Sequence, residues 1–272
     1  MLGTAMVHVL TQAGHRVRAV DRSQFDAVHD SVRQLDLSGV DYVVNALGLI
    51  NRRTTTAAEN FYLVNSVFPR ILADACAARR VRLIHISTDC VFDGSGGPYN
   101  EEAETTATDL YGRSKALGEP VNALVIRTSI VGPERQYLYS LLAWFLAQRG
   151  SCRGYTNHYW NGMSTLQLSR VIDQIMQSDA YCCGVRHIFS SDVSKYELLC
   201  LMREAYQRDI AVVPYEDSLG KDNRLRTVYP GFMAHLAIPD LRSQLAELPA
   251  VSDALGRWRP AVLTHSQTGQ VL

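Results

Sequence analysis

Tyr111 and Lys115 stand four residues apart in the run Tyr111-Gly112-Arg113-Ser114-Lys115. On a helix that spacing puts both side chains on one face. A free phenol titrates near about 10 and exchanges protons poorly at neutral pH. A neighbouring ammonium stabilises the phenolate and lowers that value, so the pair can serve as a general acid toward a carbonyl oxygen. The same spacing also arises on ordinary helices as a solvated lysine beside a half-buried tyrosine, so the setting decides. Twenty-four residues before Tyr111, Ser87-Thr88-Asp89 closes an apolar run that reads as a strand. Ligands of open parallel sheets bind at the carboxyl ends of strands. A hydroxyl there can hydrogen-bond the carbonyl oxygen that a tyrosine protonates. Without the Tyr/Lys pair, Ser87 or Thr88 would read as the cap of a turn and Asp89 as an Asx-turn.

The front of the chain carries a second pattern. Gly3 opens a helical stretch, and Asp21 follows eighteen residues later at the end of a short apolar run. An acid about 20 residues beyond the glycines of a dinucleotide fold binds the adenosine ribose. Only one glycine of a G-x-x-G-x-x-G motif is present. The first strand and the earlier glycines, which let the backbone approach a pyrophosphate, are expected to be absent through N-terminal truncation or through loss of part of that site.

The elements that must position these residues follow from periodicity. Residues 2–13 read as a helix stopped at Gly14, 15–21 as a strand and 24–35 as a helix. Asp41 to Leu47 is an apolar run of the kind covered on both faces. A long helix is expected over 57–79, a strand over 81–87, a helix over 108–119 and a strand over 122–128. Strands alternating with helices imply right-handed βαβ units and a parallel sheet. The second half is less regular: helices over 136–149, 164–178 and 194–207, strands over 185–189 and 210–213, and a polar tail from Pro260. The expected fold is α/β, a Rossmann-like doubly wound parallel sheet lacking its first strand. The expected division is a dinucleotide-binding domain over 1–150 and a mainly substrate-binding lobe over 151–272, interleaved.

Composition narrows the function. The chain has 272 residues, 47% hydrophobic and 20% charged, with 27 basic and 27 acidic side chains and no formal net charge. That is globular composition, without the basic excess that grips nucleic acid or an anionic membrane. No apolar run reaches the roughly 18 residues of a membrane span, and no signal peptide is read at the start. The six cysteines are scattered except Cys182 and Cys183, which fits reduced thiols and a cytoplasmic protein. No metal-ligand spacing and no Gly-x-Ser-x-Gly elbow occurs. No metal, nucleic-acid or membrane partner is therefore expected.

The string Ser87-Thr88-Asp89-Cys90-Val91-Phe92-Asp93-Gly94 resembles the STD-x-VFDG signature of the dTDP-4-dehydrorhamnose reductases, within the extended short-chain dehydrogenase/reductase superfamily. Tyr111 and Lys115 resemble their Tyr-x-x-x-Lys pair. Asn45-Ala46-Leu47-Gly48 is similar to their Asn-Ala-Ala-Gly turn at the cofactor. Asn65 matches an asparagine of the following helix, and Arg127-Thr128-Ser129-Ile130-Val131-Gly132 a strand and loop beside the nicotinamide. The resemblance covers roughly residues 1–215.

It implies hydride delivery from NAD(P)H to a keto carbon of a nucleotide-linked deoxysugar. Thr88, Tyr111 and Lys115 would be catalytic: Tyr111 protonates the carbonyl oxygen, Lys115 lowers its pKa and holds the nicotinamide ribose, and Thr88 orients substrate. Gly3, Asp21, Arg22, Asn45, Ala46, Gly48, Asn65 and Thr128, with Tyr111 and Lys115, would hold the cofactor. Ser87, Asp89, Val91, Phe92, Trp160 and Asn161 would meet the sugar nucleotide. Asp21 suits NAD(H), because a carboxylate repels a 2′-phosphate, while Arg22 can accept one; with the family's frequent preference, NADP(H) is favoured. Two departures lie near the sugar. Cys90 replaces a tyrosine, and Ser164 stands where proline is usual. The expected partner is a nucleotide-sugar substrate, with a homodimer as the assembly considered. The alternatives are a non-catalytic binding or regulatory subunit, and an epimerase or dehydratase of the same superfamily.

Overall fold

The structure is a computed structural model and describes residues 1–50, 57–134 and 139–255. In chain order the first half holds α1 (Leu2–Gln12), β1 (Tyr42–Asn45), α2 (Ala58–Tyr62), a π-helical turn (Leu63–Val67), α3 (Phe68–Ala77), β2 (Arg82–Ile86), α4 (Leu110–Leu117), β3 (Leu124–Arg127) and β4 (Ile130–Val131). The second half holds α5 (Leu141–Ala147), β5 (Ser151–Tyr155), β6 (His158–Trp160), β7 (Met163–Ser164), α6 (Thr165–Gln177), β8 (Gly184–His187), β9 (Val193–Ser194), α7 (Lys195–Ala205), β10 (Ala211–Tyr215), β11 (Lys221–Asp222), α8 (Pro230–Ala234) and α9 (Leu241–Leu255). Among the described residues no helix is long and apolar enough to cross a membrane.

The main sheet is parallel with order β1-β2-β3-β8. Alternation along its strands divides the core. Ile84, Ile86, Leu124 and Ile126 face α1 and α6, where they meet Leu2, Met6, Leu10, Leu168, Ile172 and Ile175. Leu83 and Val43 lie with Phe68, Leu72 and Cys76 of α3. Each buried Leu or Ile contributes about 1.5–3 kcal/mol, so the doubly covered sheet is the rigid frame of the molecule. The second half builds another core from α5, α7 and α9 around Trp160, Phe145 and Leu245. Short sheets border it: β5 with β10, β4 with β7, and β6 between β9 and β11. The halves interleave, since α6 and β8 join the main sheet.

Several sequence expectations need correction. His15–Asp21 forms no strand. Its inward residues His15 and Val17 are half-buried, but among the described residues no ladder partner lies beside the run, and β1 pairs only with β2. The helix expected over 24–35 shrinks to a 3-10 turn, Val32–Gln34. Short polar side chains there capture the backbone N–H groups: Asp26 accepts from Val28, and Ser31 from Arg33. The helix over 136–149 begins only at Leu141, where Ser140 accepts from the Ala143 N–H; residues 136–138 lie outside the described residues, as does the tail from Pro260.

The long helix expected over 57–79 is interrupted by the π-turn, and Pro69 gives the reason. Proline has no N–H for the carbonyl four residues earlier and crowds it; that carbonyl belongs to Asn65. The widened turn presents it to α4. A Cβ on Gly118, just past α4, would lie 1.7 Å from the Asn65 oxygen, and one on Gly112 would lie 2.1 Å from the Cys90 oxygen. Two bare glycine backbones thus let α4 sit directly on its neighbours.

Gly118→Ala should lower the stability measured by urea denaturation by about 1–3 kcal/mol through overpacking. Gly3→Ala, with nothing within 4 Å of the added carbon, should change it by less than about 1 kcal/mol. Equal stabilities for the two variants would contradict the close seat of α4.

Candidate active site

The site forms where α4 crosses the carboxyl end of β2. Asp109 caps α4, accepting from the Gly112 N–H at 3.0 Å. Beneath the helix, Ser87 leads into a 3-10 turn over Asp89–Val91. Thr88 caps that turn, its hydroxyl accepting from the Cys90 N–H at 3.1 Å and donating to Asp89 Oδ1 at 3.2 Å. Asp89's own N–H donates to the Thr128 carbonyl at 3.0 Å, which ties the turn to the end of β3.

Tyr111 and Lys115 reach down from α4 to this strand end. The Tyr111 phenol comes within reach of the Thr88 side chain. The Lys115 ammonium, 3% exposed, donates to the Ile86 carbonyl at 2.7 Å. The helix thus delivers a phenol to Thr88 and a cation to Ile86. The electrostatics depart from the expectation that Lys115 acidifies Tyr111. Burial, then Cys90, push the phenol well above its ordinary value, with Thr88 acting the other way. Burial pulls Lys115 down to about 8. In this state the ammonium serves the Ile86 carbonyl, and the tyrosine is held protonated, as a proton donor must be.

The other expected residues fall into groups. Ser87 turns from Thr88: its hydroxyl donates to Glu119 Oε1 at 2.6 Å. Glu119 also takes two hydrogen bonds from Arg127, at 2.8 and 2.7 Å, in a nearly solvent-free pair. Asn65 is fully buried. It takes the Leu49 N–H at 2.9 Å, and its amide donates to the Leu49 carbonyl and the Ser114 hydroxyl, both at 3.0 Å. Both amide hydrogens are used, so here Asn65 positions the loop after β1 rather than offering a ligand its amide. Asn45 holds that loop from its other end, accepting from the Leu47 N–H at 3.1 Å and lying 3.1 Å from the His85 ring. Ala46 and Gly48 line the loop, with Gly48 against Asn65.

At the front, Asp21 is exposed, not at a strand end. Its carboxylate takes the Ser23 N–H and hydroxyl at 2.8 and 2.6 Å, and these bonds hold it below the usual carboxylate range. Arg22 pairs with Asp26 at 3.1 Å. The first turn of α1 carries no side-chain cap, and the space beside Gly3 is open.

Three expected substrate contacts face inward. Val91 and Phe92 are buried with Tyr99 and Leu225, and Phe92 stacks on Tyr99 at 4.1 Å. Asn161 is 1% exposed and fully engaged, donating to Asp192 and to the Leu225 carbonyl and accepting from the Leu225 N–H. Each is an apolar or amide group with a complete set of partners in the chain, so these three build the wall rather than touch what it encloses. Asp89 and Trp160 are buried as well. Asp89 is buried beside Thr88, and Trp160 packs under the second-half core with Lys195 Nζ 4.9 Å from its ring centroid.

Lys195 escaped sequence reasoning, as did the Ser87–Glu119–Arg127 junction and His85. A lysine as the first residue of a helix was the available signal, since cations are disfavoured there. Burial and the Lys115 charge hold His85 well below its usual value, so it is a neutral neighbour of that lysine.

The Lys115 ammonium at the carboxyl end of a parallel strand and the open space beside Gly3 suit a dinucleotide. The chain is 36% identical over 141 residues to the dTDP-4-dehydrorhamnose reductase of Mycolicibacterium smegmatis, covering 48% of this chain and 43% of that protein. It is 36% identical over 140 residues to the dTDP-4-keto-6-deoxy-D-glucose reductase of Streptomyces niveus, covering 47% and 49%. The chain therefore spans about half the length of the curated relatives it matches. Its fold resembles the dTDP-4-dehydrorhamnose reductase of Bacillus anthracis, solved in complex with NADP, with a TM-score of 0.77 at 17% identity over 92% of this chain and 95% of that one. The model of the RmlD substrate binding domain matches residues 1–220. By that match the chain belongs to the RmlD substrate-binding domain family of the extended short-chain dehydrogenase/reductase superfamily.

Proposed function

We propose that this chain reduces a 4-keto-6-deoxy nucleotide sugar with NAD(P)H, in the synthesis of deoxysugars or cell-surface polysaccharide. The observation that carries this reading is the delivery of Tyr111 to Thr88 and of Lys115 to Ile86 at one strand end. Similarity to reductases of dTDP-linked keto sugars supports the substrate class. In this reading residues 1–150 mainly hold the cofactor and residues 151–272 mainly the sugar nucleotide. NADP(H) is the favoured cofactor, with Arg22 as the group for a 2′-phosphate once released from Asp26.

A nicotinamide cofactor held by the residues at the carboxyl edge of the sheet would supply the hydride. The chain supplies the proton and the orientation. Tyr111, kept neutral by burial, gives its proton to the carbonyl oxygen as charge develops there. Thr88, held by Asp89 and the Cys90 N–H, stands beside the phenol and orients the substrate carbonyl toward it. Lys115 lies on the same helix face and stabilises the phenolate left behind, besides holding a ribose hydroxyl. Asn45 and Asn65 set the loop that would border the cofactor, acting through backbone groups.

Tyr111→Phe should lower kcat by about 10²–10⁴-fold, leaving cofactor Kd and Tm near wild type, measured by NADPH oxidation with a 4-keto-6-deoxyhexose linked to dTDP. Full activity of this variant would overturn the assignment. Lys115 sits at about 8 in the fold and 10.5 unfolded. Turnover should therefore decline as pH rises through about 8 and the ammonium is lost, and Lys115→Met should lack that limb. The linkage sign also fixes the stability. Between these values the unfolded chain binds more protons, so stability rises with pH, and below about 8 the buried charge opposes folding in full. Lys115→Met should thus melt no lower than wild type at pH 7 while losing most activity; a large drop in Tm would contradict this account.

A further inference from the structure

β6 and β9 run antiparallel, with Tyr159 opposite Ser194 and Trp160 opposite Val193. The next residue, Lys195, emerges beside Trp160. Its backbone is fixed by a capping box: Ser194 Oγ accepts from the Glu197 N–H at 3.1 Å, and Glu197 accepts from the Ser194 N–H at 2.7 Å. This is a poor place for a structural lysine, since the positive end of the helix dipole repels it. Lys195 as a whole is half-buried; its ammonium lies 4.9 Å from the Trp160 ring centroid and has no hydrogen-bond acceptor or ion-pair partner among the described residues. Three N–H donors at the edge of a protein wall without an acceptor carry a desolvation cost, which the aromatic face offsets only in part.

Its neighbours locate it. Lys195 lies within electrostatic reach of Asp89 and Cys90, and the Tyr111 phenol feels the same two groups. Backbone bonds bring the two together: the Asp89 N–H donates to the Thr128 carbonyl and the Met163 N–H to the Ser129 carbonyl, so the Trp160–Met163 segment, with Lys195 against its ring, adjoins the strand end that carries Thr88. Asp89 is occupied by Thr88, Cys90 and Ser129, which leaves the ammonium free to bind what enters.

We infer that Lys195 is a sugar-binding residue: with Trp160 beside it, its ammonium donates to an oxygen substituent of the hexose whose carbonyl Tyr111 faces. The inference rests on the functional reading above and names the group that selects among nucleotide sugars. An ammonium donates to a hydroxyl or carboxylate oxygen there and repels a protonated amino substituent.

The test is calorimetric titration of the NADP-loaded protein with dTDP-glucose and with dTDP alone, for wild type, Lys195→Met and Lys195→Arg. Loss of a charged hydrogen bond should weaken dTDP-glucose by about tenfold or more in Lys195→Met. Binding of dTDP should be unchanged, and Lys195→Arg should recover part of the loss. With no hydrogen-bond acceptor among the described residues to lose, and the charge of a half-buried residue removed, Lys195→Met should melt at or above wild type. Equal weakening of both ligands would assign the ammonium to the nucleotide, and unchanged dTDP-glucose binding would make it a bystander. Either result overturns the inference while the reductase reading stands. A wild-type protein that binds neither ligand overturns both.

Discussion

The position of α4 is fixed by two contacts in which one added carbon has no room. Gly112 rests on the Cys90 carbonyl and Gly118 on that of Asn65. Both supports are backbone, so neither yields as a flexible side chain would. Pinned at both ends, the helix holds its inward residues in one register over the end of β2. Tyr111 reaches Thr88, Lys115 reaches Ile86, and Ser114 receives the Asn65 amide. Hydrophobic burial supplies most of the stability of the sheet beneath. It has no direction, however, and the close backbone contacts supply the placement that proton transfer requires.

Around that helix the fold keeps charges where a less ordered protein would not. Lys115 is held at a carbonyl in a solvent-poor space, and Glu119 and Arg127 form a bidentate pair 9% and 7% exposed, with Ser87 as a further donor. Removing one member of such a pair strands the other, at a cost of about 3–5 kcal/mol. The pair joins the end of α4 to the end of β3, so the strand and helix that border the site are clamped on the far side from Tyr111. Ser87 belongs to this clamp and Thr88 to the site, because adjacent residues leaving a strand point in opposite directions.

Residue periodicity made β1, β2, β3 and α4 legible, since apolar β-branched runs and a capped helix carry their signal locally. Asp109 and Gly118 bracket α4 as cap and stop, and the parallel alternation followed. What stayed hidden depends on partners distant in sequence. His15–Asp21 has the composition of a strand but finds no ladder, and 24–35 loses its helix to aspartate and serine side chains that bond the backbone first. The π-turn was encoded by Pro69 but reads as helix in any pattern of apolar spacing. The motif residues show the same limit. Val91, Phe92 and Asn161 occupy recognisable positions, yet a motif does not state which way a side chain faces, and these face the interior. Lys195 lies in no motif and becomes visible only when β6 and β9 bring it to Trp160.

The pairing of β3 with β8 sets an order for synthesis on the ribosome. Once residues through Arg127 have emerged, β1, β2 and β3 can align, but β3 keeps an open edge until Gly184–His187 is made. The groove on α1 waits for α6 just before it, and β5 remains unpaired until Ala211 arrives for Ser151. Distant parallel pairings form slowly and leave sticky edges exposed meanwhile. The nascent chain therefore passes through a long interval in which a half-built sheet is its most vulnerable surface, and a pause between residues 130 and 184 would lengthen that interval more than one at either end.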